Sequence, residues 1–88
     1  MTLADAIDQY VNLKQSLGMR FRNERRILLA FHRHVGDVPV ANISTEAVVT
    51  FLAGRGPITL TWLNKHRVLR GFYGHWMARA RIADTPVP

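Results

Sequence analysis

Apolar residues recur at three- and four-residue intervals in four stretches of this chain, and glycine or proline interrupts each. That period is the signature of amphipathic helices. The first predicted helix runs from about Leu3 to Leu17. Leu3, Ile7, Tyr10, Val11, Lys14 and Leu17 follow its inner spacing, with Lys14 as the one interruption. Thr2 is placed to cap it, with Asp5 three residues later, and Gly18 is a natural stop. The second is expected over about Glu24 to Val35 with Asn23 as cap. Ile27, Leu28, Phe31 and Val35 share one arc of it, and Gly36 ends it. "DVPVAN" reads as an extended connector.

The third helix is expected over about Thr45 to Ala53, capped by Ser44 or Thr45, with Val48, Phe51 and Leu52 facing inward. "GRGP", Gly54 to Pro57, is a tight break. The fourth and longest helix is expected from about Leu60 to Arg81, with Thr59 or Thr61 at its start. Trp62, Lys65, Leu69, Phe72, Tyr73, Trp76 and Ala80 gather on one arc, with Val68 at its edge. Asn64, Arg67, Arg70, Gly71 and Gly74 fall on the other. No stretch alternates as a strand would. The fold class is therefore all-α, a compact four-helix bundle in a single domain over residues 1–81. Residues 82–88, with two prolines near the end, read as the start of an interdomain linker.

Composition narrows the function. Cysteine is absent, so neither a disulfide framework nor a Cys-ligated zinc is available. No apolar run reaches the roughly 20 residues of a membrane span, and "MTLADAIDQY" is acidic where a signal peptide would be basic. A cytoplasmic protein is expected, with no membrane partner. Twelve Lys and Arg face six Asp and Glu, a net charge of +6, and ten of the twelve are arginine. Arginine matches phosphate and guanine with a planar, bidentate fork. A small, arginine-dominated basic chain points to a polyanion, most often nucleic acid.

Catalytic chemistry finds little purchase. His32 and His34 are two apart and His66 and His75 nine apart, so neither pair shares a helix face for a metal. No His-Glu-x-x-His, Gly-x-Ser-x-Gly or phosphate-loop pattern occurs. Asp5, Asp8, Glu24 and Glu46 sit near helix starts, where the dipole explains them. Neither cofactor nor metal is expected, and the chain by itself is not read as an enzyme. Trp62, Phe72, Tyr73 and Trp76 share their arc with Leu69, which makes them core rather than a base-stacking platform.

Two basic faces remain as candidate sites. One comprises Arg20, Arg22, Arg25, Arg26 and Arg33, on the turn into the second helix and along its outer side. The other comprises Thr59, Thr61, Asn64, Lys65, Arg67 and Arg70, at the front of the fourth. Ordinary solvated faces interleave acids with bases, yet no acid occurs between Glu46 and Asp84. Gly71 and Gly74 lie beside these arginines, where each costs roughly 1 kcal/mol against alanine. Their arc suggests a bare strip for close approach of a DNA backbone or another helix, against the plainer reading of a tolerated flaw.

The order of these pieces resembles the N-terminal core-binding (SAM-like) domain of tyrosine recombinases, the phage-type integrases and their transposon relatives. "AIDQYVNLKQSLGMRFR", "NERRILLAFHRHVG", "ISTEAVVTFLA" and "TLTWLNKHRVLRGFYGHWMARARI" are similar to its four helices in turn, with Arg70, Phe72 and Tyr73 in the family's Arg-x-Phe-Tyr feature. Asn23 stands where the family often has Ser or Thr, and "ADTPVP" where it often has Asn-Pro. The resemblance implies a clamp domain that grips double-stranded DNA with its second and fourth helices. It implies a C-terminal catalytic domain, outside these residues, that holds the nucleophilic tyrosine; Tyr10 and Tyr73 lie on core faces instead. An oligomer of the full-length protein on DNA would follow. The competing readings are a stand-alone helix-turn-helix regulator and a helical protein-interaction module.

Overall fold

Four α-helices and one short 3₁₀ turn make up the computed structural model, which describes residues 1–54 and 60–88. The helices are α1 (Leu3–Ser16), α2 (Arg22–Val35), α3 (Thr45–Ala53) and α4 (Leu60–Ala78), with the 3₁₀ turn at Val40–Asn42. The chain forms two compact units, Met1–Val40 and Ala41–Pro88. The expected all-helical character holds. The "GRGP" break beyond Gly54, and Thr59, fall outside the described residues.

In the first unit, the beginning of α1 shows how local chemistry sets a boundary. The first four N–H groups of a helix have no partner within it. Here the Leu3 N–H donates to the Val38 carbonyl at 2.8 Å and the Ala4 N–H to Asp37 Oδ1 at 3.2 Å. Asp5 donates to Thr2 Oγ1 at 3.2 Å, and Ala6 to the Thr2 carbonyl at 3.0 Å. Leu3, Ala4 and Asp5 are thus satisfied from outside the helical ladder, two of them by the segment after α2, and the Ala6 bond is the first rung of the ladder itself. That segment pairs back through an antiparallel bridge between Thr2 and Pro39 and a Val40 N–H to Met1 carbonyl bond of 3.0 Å. Asp37 Oδ1 also lies 3.4 Å from His32 Nε2, so one carboxylate stands between the start of α1 and the end of α2. "DVPVAN" is thus not a plain extended connector: its front braces α1, and its last three residues curl into the 3₁₀ turn.

At the other end of α1, Gly18 takes φ +91°. Its N–H bonds the Gln15 carbonyl and the Met19 N–H bonds the Lys14 carbonyl, the paired closure of a Schellman motif. The helix therefore stops where Gly18 predicts. Leu3, Ala6, Ile7, Tyr10 and Val11 are buried, but Leu17 is 68% exposed, against expectation. Leu17 is the C-cap residue, so it no longer follows the helical phase that would turn it inward.

α2 begins two residues earlier than its sequence suggests. Phe21, not Asn23, is the N-cap, and Asn23 lies inside the helix. Phe21 adopts φ +58°, a left-handed conformation costing an L-residue roughly 1–2 kcal/mol. Its ring meets that of Tyr10 edge-on at 5.4 Å, a contact that offsets the strain and fixes where the helix starts. Leu28 and Phe31 are fully buried, with Ile27 and Val35 half-buried on the same arc.

The second unit packs α3 on α4. Ser44 caps α3, accepting the Ala47 N–H at 3.1 Å, and Val48, Phe51 and Leu52 are buried. α4 buries Val68, Leu69, Phe72, Tyr73 and Trp76, the expected arc, with Trp62 half-buried at its edge. Thr61 lies within the helix rather than ahead of it. α4 ends at Ala78, three residues sooner than expected, because Ala80 turns to φ +58°. The Ala80 N–H then bonds the Met77 carbonyl and the Arg81 N–H the Trp76 carbonyl, both at 3.0 Å. This is the closure seen at Gly18, made with alanine, and it leaves Ala80 exposed rather than inward.

Candidate nucleic-acid interface

Four of the predicted arginines come together. Arg22, Arg25, Arg26 and Arg33, all exposed, form one wall of a cleft of about 650 Å³ within the first unit. They lie three, four and seven residues apart along α2, which puts them on one face at 1.5 Å rise per residue. From Arg22 to Arg33 the row therefore extends for roughly 16 Å. The facing wall belongs to α1 and carries Asp8, Asn12 and Gln15, while Ile7, Val11 and Leu29 form apolar floor. Among the described residues, none of the four arginines is ion-paired to a carboxylate. Their charge thus faces solvent, with Asp8 as the single acid of the lining. Arg20 is exposed but outside this lining; its main-chain carbonyl accepts from Gln15 Nε2 at 3.3 Å, which steadies the turn between the helices.

Asn12 and Gln15 are the residues sequence reasoning missed. They sit on α1, apart in sequence from the arginine clusters, and only the packing of α1 on α2 sets them across from the cations. Their spacing from Asp8, four and seven residues, is the signal that one polar stripe runs along α1.

The second face is less uniform. Thr61, Asn64, Arg67 and Arg70 are exposed on α4. Lys65, expected in this face, is turned away: its ammonium lies 4.6 Å over the Phe51 ring and donates to the Phe51 carbonyl at 3.4 Å. It belongs to the α3–α4 contact through a cation–π interaction, which its place on the apolar arc foreshadowed. Thr59 lies outside the described residues.

The segment beyond α4 reaches this face. His66 Nε2 is 2.8 Å from the Pro88 main-chain oxygen. That oxygen can only accept, so the ring nitrogen carries the proton and donates. Thr85, Val87 and Pro88 join Arg70, Gly74 and Met77 around a cavity of about 240 Å³. A Cβ built on Gly74 would meet nothing within 4 Å. These residues, the end of the stretch expected to begin a linker, run back beside α4, and Gly74 lies in the strip they approach.

The histidines are engaged separately. His32 faces Asp37, His66 stacks on Trp62 at 5.1 Å, and His75 accepts the Arg79 Nε–H at 3.0 Å beside Trp76. No cluster of three or more metal-ligating side chains occurs among the described residues. Burial pushes the Tyr73 phenol well above its ordinary range, which keeps it protonated in the core. No helix among the described residues is long and apolar enough to cross a membrane. No family model, curated protein or solved structure matches the chain.

Proposed function

We infer that the chain is a duplex-DNA-binding domain, acting as the N-terminal clamp of a site-specific tyrosine recombinase or integrase. The SAM-like bundle and the catalytic domain beyond these residues belong to the same inference. One observation carries it: four arginines on one wall of an open cleft, unpaired to carboxylates among the described residues and in a row about as long as five base pairs at 3.4 Å each. Such a row tracks a sugar–phosphate strand better than it surrounds one small anion. Asn12 and Gln15 supply neutral donors on the opposite lip, the kind of group that adds phosphate and sugar contacts without further charge.

On α4, Asn64, Arg67 and Arg70 add a second set of contacts, with Asn and Arg suited to base edges in a major groove. A helix-turn-helix regulator fits less well, because residues 36–44 separate α2 from α3 with a bridge and a 3₁₀ turn rather than a tight turn. A pure protein adaptor leaves the arginine row without a purpose.

Fluorescence anisotropy with a labelled duplex across a salt series tests the proposal. With about 4–6 phosphates engaged, the log–log slope is expected near −4 to −5. Binding that ignores salt, or no binding at about 50 mM salt, would refute it.

A further inference from the structure

We propose that the outer stripe of α4 is a shared seat, which holds either the chain's own Thr85–Pro88 segment or the phosphate backbone of the ligand. The proposal rests on the DNA reading above. His66, Arg70, Gly74 and Met77 lie three or four residues apart, so they form one stripe along α4, roughly 16 Å from end to end. Residues 83–88, extended at about 3.3 Å each, cover about 20 Å. The segment leaves the helix after the Ala80 turn and reaches His66 with its Pro88 oxygen, at the opposite end of the stripe. It therefore runs antiparallel to α4 over about three turns.

Local chemistry shapes the segment for this course. Asp84 Oδ1 accepts the Thr85 N–H at 2.8 Å and Thr85 Oγ1 accepts the Val87 N–H at 3.2 Å, short side-chain turns that order the backbone. Pro86 and Pro88 fix φ, so little freedom is lost on seating. Thr85, Pro86 and Val87 are half-buried in consequence. The grip is modest: one hydrogen bond on an exposed histidine edge and partial burial of Pro86 and Val87, with no ion pair among the described residues. A bulky side chain at position 74 would stand in the cavity the segment closes, which gives the glycine a use.

Arg70 lies in both roles. It lines the segment's cavity, and it belongs to the face expected to meet DNA. A backbone drawn to Arg70 has to occupy the space of Thr85 and Val87. A seat filled about nine-tenths of the time lowers the apparent affinity of that face about tenfold.

The test uses the 88-residue chain described above. The double variant Pro86→Gly with Val87→Ser loosens the segment without changing charge. Its affinity for a labelled duplex is expected to rise about tenfold at fixed salt. In the unaltered chain, saturating duplex is expected to move the Thr85 and Val87 amide resonances to random-coil positions. Thermal melting confirms that the variant keeps the fold; should it not, the resonance titration of the unaltered chain decides alone. Unchanged affinity in a folded variant, or Thr85 and Val87 resonances that stay put on saturated DNA, overturns the shared seat and leaves the DNA reading standing. Failure of both chains to bind any duplex removes the DNA reading and the shared seat with it.

Discussion

The α2 and α4 outer faces carry the same signature in the sequence: arginines at helical spacing, neutral polar neighbours and almost no acid. Their surroundings differ. The α2 row opens on a cleft whose other wall is the polar stripe of α1. The α4 face has one cation turned into the core, at Lys65, and the chain's own Thr85–Pro88 segment beside another, at Arg70. A charge pattern thus identifies a face as solvent-directed, while its availability depends on segments distant in sequence. The α2 row is the stronger candidate for primary contact because nothing in its own unit covers it.

The largest lever on either face is the core behind it. Phe31 and Phe72 are fully buried, so truncation of either to alanine is expected to cost about 3–5 kcal/mol, read from denaturant midpoints. A cost below about 1 kcal/mol at either site would mean that the face above it is not held as described.

Charge reversal separates the faces next. Arg25→Glu with Arg26→Glu is expected to weaken duplex binding about tenfold per position, from ~1.5 kcal/mol per charge-assisted contact, and to flatten the salt slope by about 2. Arg67→Glu with Arg70→Glu is expected to do less while the Thr85–Pro88 segment stays seated. Equal losses from the two pairs, in parallel anisotropy titrations, would erase the distinction drawn between the faces.

Asp37→Ala removes the carboxylate that caps α1 and faces His32. It is expected to cost about 1–2 kcal/mol of stability, with the α1 amides losing hydrogen-exchange protection first. The smallest effects are a matched pair in the second unit. Gly74→Ala has room for its methyl and is expected to stabilise by about 0.5–1 kcal/mol. Ala80→Gly relieves a left-handed alanine and is expected to stabilise by a similar amount. Opposite substitutions would then both raise the melting temperature, each because of its backbone setting.

Much of this is legible in the sequence. Thr2 and Ser44 cap the helices they precede, Gly18, Gly36 and Gly54 stop them, and the inner arcs of α3 and α4 are buried nearly as drawn. Caps and periodicity are local, and local rules read them. The misses share a different cause. Asn23 lost the capping role because the Phe21 ring packs on Tyr10, a contact eleven residues away in sequence. α4 ended early because alanine accepted a conformation that propensity reserves for glycine. Of the candidate site, Arg22, Arg25, Arg26 and Arg33 lie together while Arg20 falls outside their cleft, Lys65 turns to Phe51, and no arginine pattern marks Asn12 and Gln15.

Local patterning encodes the four helices of the described residues, most of their ends, the residues of the core and the basic outer faces. These follow from hydrogen-bonding needs at helix ends and from the 3.6-residue period, both readable within a few positions. Packing between segments returns Asp37 to cap α1, sets Asn12 and Gln15 across from the arginine row, and lays Thr85–Pro88 along α4 beside Gly74. Each joins residues far apart in the chain. The loop-closure entropy of such a contact is offset by packing and pairing of the folded whole, which no short window of sequence contains.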